Sequence, residues 1–325
     1  MNAPKISVLI PTYNYARFLP EAVESVLAQD FSDFELLIAD DGSTDNTAEV
    51  VAPYCQRDRR ISFTVNRTNL GMVGNWNACL KKARGDYVKY LFGDDKLAAS
   101  NSLGTLAAML DSNPSVALAT SARQVIDEAS KPLETWDKWK KLGVFDGTSV
   151  MLECLRTADN LVGEPSAAMF RRSLAQRGFN PAYRQLVDLE MWFHLLEQGG
   201  MAYTTDALCC FRRHSAQQTE VNRTAATGRS ETLIGHTELL SLFSDCADKP
   251  WYRQSAATKR AANLWTLRQW RPSFPPDAFK VVEKQLRENV PAPLLFMYWL
   301  AHKTARPFEN LKRSFRKRLP GRNAA

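Results

Sequence analysis

The chain has 325 residues, 45% hydrophobic and 24% charged, an ordinary globular composition with room for one large domain and an extension. Six scattered cysteines (Cys55, Cys79, Cys154, Cys209, Cys210, Cys246) form no C-x-x-C pair, which argues against a zinc site or small disulfide framework and for a reducing compartment. The net charge of +7 sits at the end, where His302 to Ala325 carries eight basic residues against Glu309 alone; the body is balanced and argues against a nucleic-acid partner.

In chain order, the apolar run Ile6 to Ile10 is halted by Pro11-Thr12-Tyr13-Asn14, too soon for a signal peptide. Ser7 to Ile10 reads as a buried strand, and Leu19, Ala22, Val23, Val26 and Leu27 recur at helical spacing. A second strand, Leu36 to Ala39, is broken by Asp41-Gly42-Ser43-Thr44-Asp45, which supplies capping residues for a helix around Thr47 to Tyr54. Strand Ile61 to Val65, helix Gly71 to Ala83, strand Tyr87 to Phe92, helix Leu103 to Leu110 and strand Val116 to Ala119 continue the alternation. That is the signature of parallel βαβ units. Ligands of such sheets bind beyond the carboxyl ends of the strands, so Thr12 to Asn14, Asp40 to Asp45 and Gly93 to Asp95 are predicted to converge on one rim.

From Thr120 to about Arg223 the pattern is irregular, with a Trp- and Lys-rich stretch (Trp136, Lys138, Trp139, Lys140, Lys141) and one clear helix, Leu186 to Leu196. Helices are predicted at Leu233 to Phe243, Trp251 to Leu267 and Pro276 to Asn289. The apolar run Val290 to Ala301 falls short of the roughly 18 residues a spanning helix needs, so the chain is not expected to cross a membrane.

Taken by themselves, the chemical residues admit two readings each. Asp94-Asp95 at a strand end is either a ligand for a hard divalent ion or a solvated turn helped by Gly93. Asp188 and Glu190 either complement a helix dipole or include a general base, and two residues apart they do not share a helix face.

Jointly the motifs narrow these readings. Ser7-Val8-Leu9-Ile10-Pro11-Thr12-Tyr13-Asn14, Asp40-Asp41-Gly42-Ser43-Thr44-Asp45, Asn69-Leu70-Gly71 and Gly93-Asp94-Asp95 resemble, in order and spacing, the family 2 glycosyltransferases of the GT-A fold. The resemblance covers residues 5 to 222. It implies an α/β fold with a Rossmann-like, mostly parallel sheet flanked by helices and a catalytic domain at 1–222, and the helices predicted after Asn222 make 223–325 a helical C-terminal extension. It also implies an inverting transferase that moves a sugar from a nucleotide diphosphate sugar, a UDP-sugar by preference, to an acceptor hydroxyl with Mn2+ or Mg2+. The expected acceptor is a saccharide or lipid-linked saccharide of surface polysaccharide synthesis.

On that resemblance Pro11, Thr12, Tyr13, Asn14 and Asp41 line the nucleotide pocket, with Tyr13 against the base. Asp94 contacts the donor and Asp95 binds the metal. Asp188, in Val187-Asp188-Leu189-Glu190-Met191-Trp192, stands at the position of the general base. In Phe211-Arg212-Arg213-His214, Arg213 faces the diphosphate and His214 the metal. The chain departs from the pattern at Gly93, where the family often has an acidic residue, and at Lys96. The alternative is an inactive sugar-nucleotide-binding module that recruits partners through its tail; a nicotinamide oxidoreductase is disfavoured because no G-x-G-x-x-G follows the first strand.

In the tail, Phe308, Leu311, Phe315 and Leu319 repeat at helical spacing among Lys312, Arg313, Arg316 and Lys317. Residues 302–325 therefore read as a basic amphipathic helix, fit either for an anionic membrane surface or for docking on the protein. The location that follows is cytoplasmic, with peripheral attachment to the inner face of the cell membrane where the tail binds lipid.

Overall fold

The computed structural model describes residues 3–215, 217, 230–288 and 290–297. Among the expectations above, the basic tail 302–325 lies outside the described residues. The chain divides into two compact units, Met1–Cys154 with Ala158–Leu239, and Leu155–Thr157 with Leu240–Ala325.

The first unit is built on strands β1 (Ile6–Thr12), β2 (Phe34–Asp40), β3 (Ile61–Val65), β4 (Tyr87–Tyr90), β5 (Lys96–Leu97), β6 (Val116–Ile126), β7 (Pro132–Trp136), β8 (Gly143–Phe145), β9 (Ala168–Arg171) and β10 (Gly200–Arg212). They form one sheet in the order β3-β2-β1-β4-β9-β6-β10-β5, with β7 on β6 and β8 on β10. Pairing is parallel across β3-β2-β1-β4 and between β6 and β10, and antiparallel through β9 and at β5, β7 and β8. This is the mostly parallel α/β architecture of the GT-A fold.

Between the strands run α1 (Leu19–Leu27), α2 (Thr47–Arg57), α3 (Gly71–Lys82), α4 (Ser102–Asp111), α5 (Gly147–Thr157) and α6 (Val187–Leu196). Because side chains alternate along a strand, β1 and β2 divide their apolar residues between two faces. Ile6, Val8, Ile10, Leu36 and Ile38 join one core with Leu19, Val23 and Val26 of α1 and Leu103 and Leu106 of α4. The opposite face receives α3, which packs on β1 and β2. Each fully buried aliphatic side chain contributes about 1.5–3 kcal/mol, so both faces of this sheet stabilise the platform that carries the site.

Polar groups secure the amino edge of the same sheet. Buried Glu35 accepts hydrogen bonds from the Ser7 hydroxyl (2.6 Å), the Arg84 amide (2.8 Å) and Arg84 Nε (2.8 Å), tying β1, β2 and the entrance to β4 together.

The stretch from Thr120 onward is regular where the sequence read as irregular. Strand β6 continues to Ile126, and β10 runs for 13 residues beside it with register shifts at Thr204/Ala207 and Ala207/Cys209. These bulges interrupt the period-2 pattern from which a strand is recognised.

Helix α7 (Ser230–Ala247) crosses the boundary between the units after Leu239, and the second unit continues with α8 (Pro250–Gln254), α9 (Ala257–Gln269) and α10 (Pro276–Glu288). The single helix expected over Trp251 to Leu267 is two. The Ser255 hydroxyl donates to the Tyr252 carbonyl at 2.7 Å, offering the backbone an alternative to helix, and Ser255 and Ala256 are extended. Helices α9 and α10 pack together, with Arg268 paired to Glu283 at 2.6 Å. Among the described residues no helix is long and apolar enough to cross a membrane.

Candidate active site

The carboxyl ends of β1 and β2 are level, with Thr12 opposite Asp40, so the loops that follow meet. Pro11 is tolerated inside β1 because pairing with β4 has already ended at Leu9 and Tyr90, which removes the need for an amide donor there. Asn14 takes a left-handed backbone (φ 57°), and this stitches the loops: its amide donates to Ser43 Oγ (2.8 Å) and its Oδ1 accepts from the Thr44 amide (2.8 Å). Asp41 is 3% exposed; its Oδ1 accepts from Asn66 Nδ2 and the Leu70 amide, both at 2.8 Å. The Asn69 side chain donates to the Asp41 carbonyl at 3.0 Å. Above this floor the Tyr13 ring stands 46% exposed, an apolar face left open beside fixed polar groups.

The second part of the rim is made by the turn after β4 and the end of β10. Antiparallel pairing of β5 with β10, Leu97 to Cys209 and Lys96 to Cys210, carries Arg212 and His214 to Asp94 and Asp95. Arg212 is fully buried. Its amide donates to Asp95 Oδ1 (2.9 Å), its Nε to the Asp94 carbonyl (2.7 Å), and its Nη1 to the carbonyls of Asp127 (3.1 Å) and Glu128 (3.2 Å). His214 Nε2 lies 3.0 Å from Asp94 Oδ2, with the imidazole against Phe18 (4.7 Å between centroids) and Tyr15 (5.7 Å). Gly93 fits because a Cβ there would meet Thr12 Oγ1 at 3.1 Å, so the turn packs onto the end of β1.

Three buried polar atoms in this cluster have no hydrogen-bond partner among the described residues: Thr12 Oγ1, Asp95 Oδ2 and His214 Nδ1. Burial, and then the neighbouring Asp94 charge, hold the Asp95 carboxyl well above the usual range. A cation reverses both effects. Among the described residues no group of three or more His, Cys, Asp or Glu is arranged to hold a metal. The partnerless Asp95 oxygen nevertheless fits a divalent ion that keeps positions for phosphate oxygens and water.

Asp188 is the second residue of α6. Its Oδ2 accepts from Asn160 Nδ2 at 2.8 Å and its Oδ1 from the Leu189 amide at 2.7 Å. Burial, and then the Glu164 charge, push its carboxyl up to about 7. Glu190 points elsewhere, gripped by both terminal nitrogens of Arg177 at 2.9 and 3.0 Å. The chain entering α6 is fixed by Glu238, which accepts from the amides of Arg184 (2.7 Å), Gln185 (2.9 Å) and Leu186 (2.8 Å).

The structure thus joins Pro11 to Asn14 with Asp41, and Asp94 and Asp95 with His214. Asp188 stands on α6, and the Glu164 charge bears on both Asp95 and Asp188. Arg213 stands apart from them: its guanidinium pairs with Glu134 at 2.9 Å and lies 4.9 Å over the Trp136 ring. Sequence reasoning missed Arg212, Asn160, Glu164 and Arg123. For Arg212 the signal was strand alternation, which turns one of two adjacent arginines inward.

The family model for glycosyl transferase family 2 matches residues 7–179. A Mycobacterium tuberculosis protein, "Uncharacterized protein MT1568", is 34% identical over 277 residues, 82% of each chain. The Campylobacter jejuni GalNAc(5)-diNAcBac-PP-undecaprenol beta-1,3-glucosyltransferase is 40% identical over 104 residues, 32% of this chain and 33% of that protein. Among solved structures, S. aureus TarS 1-349 in complex with UDP-GlcNAc superposes with a TM-score of 0.57 at 19% identity, covering 89% of this chain and 93% of that one.

Proposed function

We propose that this chain, which belongs to glycosyl transferase family 2, is an inverting, metal-assisted transferase. It moves a sugar from a nucleotide diphosphate sugar, a UDP-sugar by preference, to a hydroxyl of a saccharide or lipid-linked saccharide in surface polysaccharide synthesis. The observation that carries the reading is two buried carboxyls in unlike surroundings: Asp95, with an oxygen that no described residue bonds, and Asp188, bonded by Asn160 and pushed up to about 7 by burial. Environments that separate the behaviour of two carboxyls are how one site divides charge stabilisation from proton transfer. A module that only bound a nucleotide sugar would have no use for the second.

In this reading Pro11, Thr12, Tyr13, Asn14 and Asp41 hold the nucleotide, Tyr13 offering its ring to the base and Asp41 a carboxylate to a base N–H. Asp94 meets the donor. Asp95 and His214 would hold Mn2+ or Mg2+, which would supply positive charge for the departing diphosphate. Arg213 reaches that diphosphate by leaving Glu134, an exposed pair whose loss costs roughly 0–1 kcal/mol. Asp188 takes the acceptor proton while the acceptor oxygen bonds to the anomeric carbon and the bond to the diphosphate oxygen breaks; one displacement inverts that carbon. The UDP preference draws on the UDP-GlcNAc bound by TarS, and the lipid-linked acceptor on the undecaprenol substrate named for the Campylobacter relative. The tail at 302–325 supplies contact with the anionic inner face of the membrane.

The test is nucleoside diphosphate release from a panel of UDP- and GDP-sugars, with Mn2+ or Mg2+ and with EDTA, for the intact protein and Asp95→Ala. Slow release from one donor, abolished by EDTA and by the substitution, is expected. Release that survives both treatments overturns the metal assignment. The absence of release and of any thermal shift on the whole panel overturns the donor site.

A further inference from the structure

The segment between α5 and β9 carries Asn160, which bonds Asp188, and four residues on Glu164, whose charge acts on it. Asn160 Oδ1 accepts from the Gly163 amide at 3.0 Å, and its Nδ2 donates to the Gly163 carbonyl at 3.1 Å and to Asp188 Oδ2 at 2.8 Å. The same carbonyl accepts from Trp192 Nε1 at 2.8 Å, so the turn is fastened to the middle of α6. Glu164 follows at once. Its carboxylate lies against Arg123 of β6, with Nε 2.5 Å from Oε2 and Nη2 3.4 Å from Oε1. Arg123 is 2% exposed and packed 5.4 Å over Trp136, so its charge is fixed against the Glu164 carboxylate.

We propose that Asn160 and Glu164, the latter held by Arg123, are positioning residues that set the basicity of Asp188 in opposite senses. A fixed negative charge beside a carboxylate makes it a stronger base, and a neutral N–H donor to its oxygen makes it a weaker one. Asn160 occupies Oδ2, as the Leu189 amide occupies Oδ1. On α6 itself, Glu190 is turned to Arg177, and the charge that bears on Asp188 is that of Glu164. The two settings combine with burial to hold a carboxylate that is still ionised in part at neutral pH yet basic enough to take a hydroxyl proton, the compromise that proton transfer near pH 7 requires. This inference rests on the reading of Asp188 as the general base.

The experiment separates the two claims. Carbon-13 labelling of aspartate carboxyls gives a titration of the whole protein, with the Asp188 signal identified by its loss in Asp188→Asn. In Glu164→Gln that titration moves down by on the order of one pH unit, and in Asn160→Ala it moves up by a smaller amount. An unmoved or reversed titration in either folded variant overturns the proposal. If Glu164→Gln does not fold, Asn160→Ala carries the test alone. Turnover is measured in parallel on the donor that the panel selects: an Asp188→Asn protein that keeps full turnover sinks the base assignment, whatever the titrations show.

Discussion

Arg212 and Arg213 are neighbours in sequence and opposites in physics. Arg212 is fully buried and donates to the carbonyls of Asp94, Asp127 and Glu128 while facing Glu21 at 3.3 Å. Removing it strands those buried acceptors and leaves Glu21 with Lys96 as its remaining cation, so Arg212→Ala is expected to destabilise the protein by about 3 kcal/mol or more. Arg213→Ala removes an exposed pair and is expected to cost about 0.5 kcal/mol or less, while lowering the release rate if its guanidinium meets the diphosphate. Urea midpoints with release rates check both; equal losses of stability would contradict the inward and outward assignment. The same contrast explains how much of the site was legible. Short contiguous clusters such as Asp94-Asp95 and Asp40-Asp41 announce themselves because unfavourable like charges in a row need a reason. Asn160, Glu164 and Arg123 do not, because their meaning arises only when β6, the turn after α5 and α6 come together.

At the scale of elements, the β1–β4 contact shows what close packing demands of the sequence. Gly85 precedes β4, and a Cβ there would stand 2.6 Å from the Ser7 amide nitrogen and 2.8 Å from the Ile6 carbonyl carbon, both main-chain atoms that cannot turn aside. Gly85→Ala is therefore expected to push β4 from β1 and cost about 1–3 kcal/mol or more, whereas Asp86→Ala, next to it and exposed, is expected to be close to neutral. Thermal melting of the two variants decides it, and matching melts would refute the close approach. Elements of the first 120 residues were readable because each strand is short, apolar and flanked by an amphipathic helix. Strands β9 and β10 were not. Bulges spoil the alternation of β10, and β9 is a four-residue strand whose partners, β4 and β6, are far away in sequence. The break at Ser255 was equally hidden, since one hydroxyl outweighs the helical propensity on either side of it.

For the whole molecule, the tuning of Asp188 is a charge against stability. In the fold its carboxyl sits at about 7, raised by burial and then by Glu164, while in the unfolded chain it returns to about 3.9. The folded state thus binds this proton more tightly, so the stability it contributes is complete below about pH 4, falls as pH rises, and is gone above about 7. Asp95, raised by burial and Asp94, acts with the same sign. Glu21 acts oppositely: burial raises its carboxyl, but hydrogen bonds from Ser130 and Lys96 and the Arg212 charge prevail and hold it at about 2. Its contribution is present above about 4.5 and fails only in strong acid; in the window between pH 4 and 7 the imidazoles of His194 and His236, lowered by burial, also act against Asp188 and Asp95. Each pH unit is worth about 1.4 kcal/mol, so across that window Asp188 withdraws on the order of 4 kcal/mol at most. Asp188→Asn replaces the carboxyl by a neutral group of the same shape. It is expected to match the natural protein at about pH 4 and to exceed it at pH 8 by a few kcal/mol, seen as a urea midpoint that comes later at pH 8 and falls less as pH rises. A variant no more stable at pH 8 than at pH 4, relative to the natural protein, would mean that the carboxylate is well solvated in the fold. A protein that gains stability when it loses its base is what a functional charge in a poorly hydrated place produces, because the fold tolerates the strain that the reaction uses.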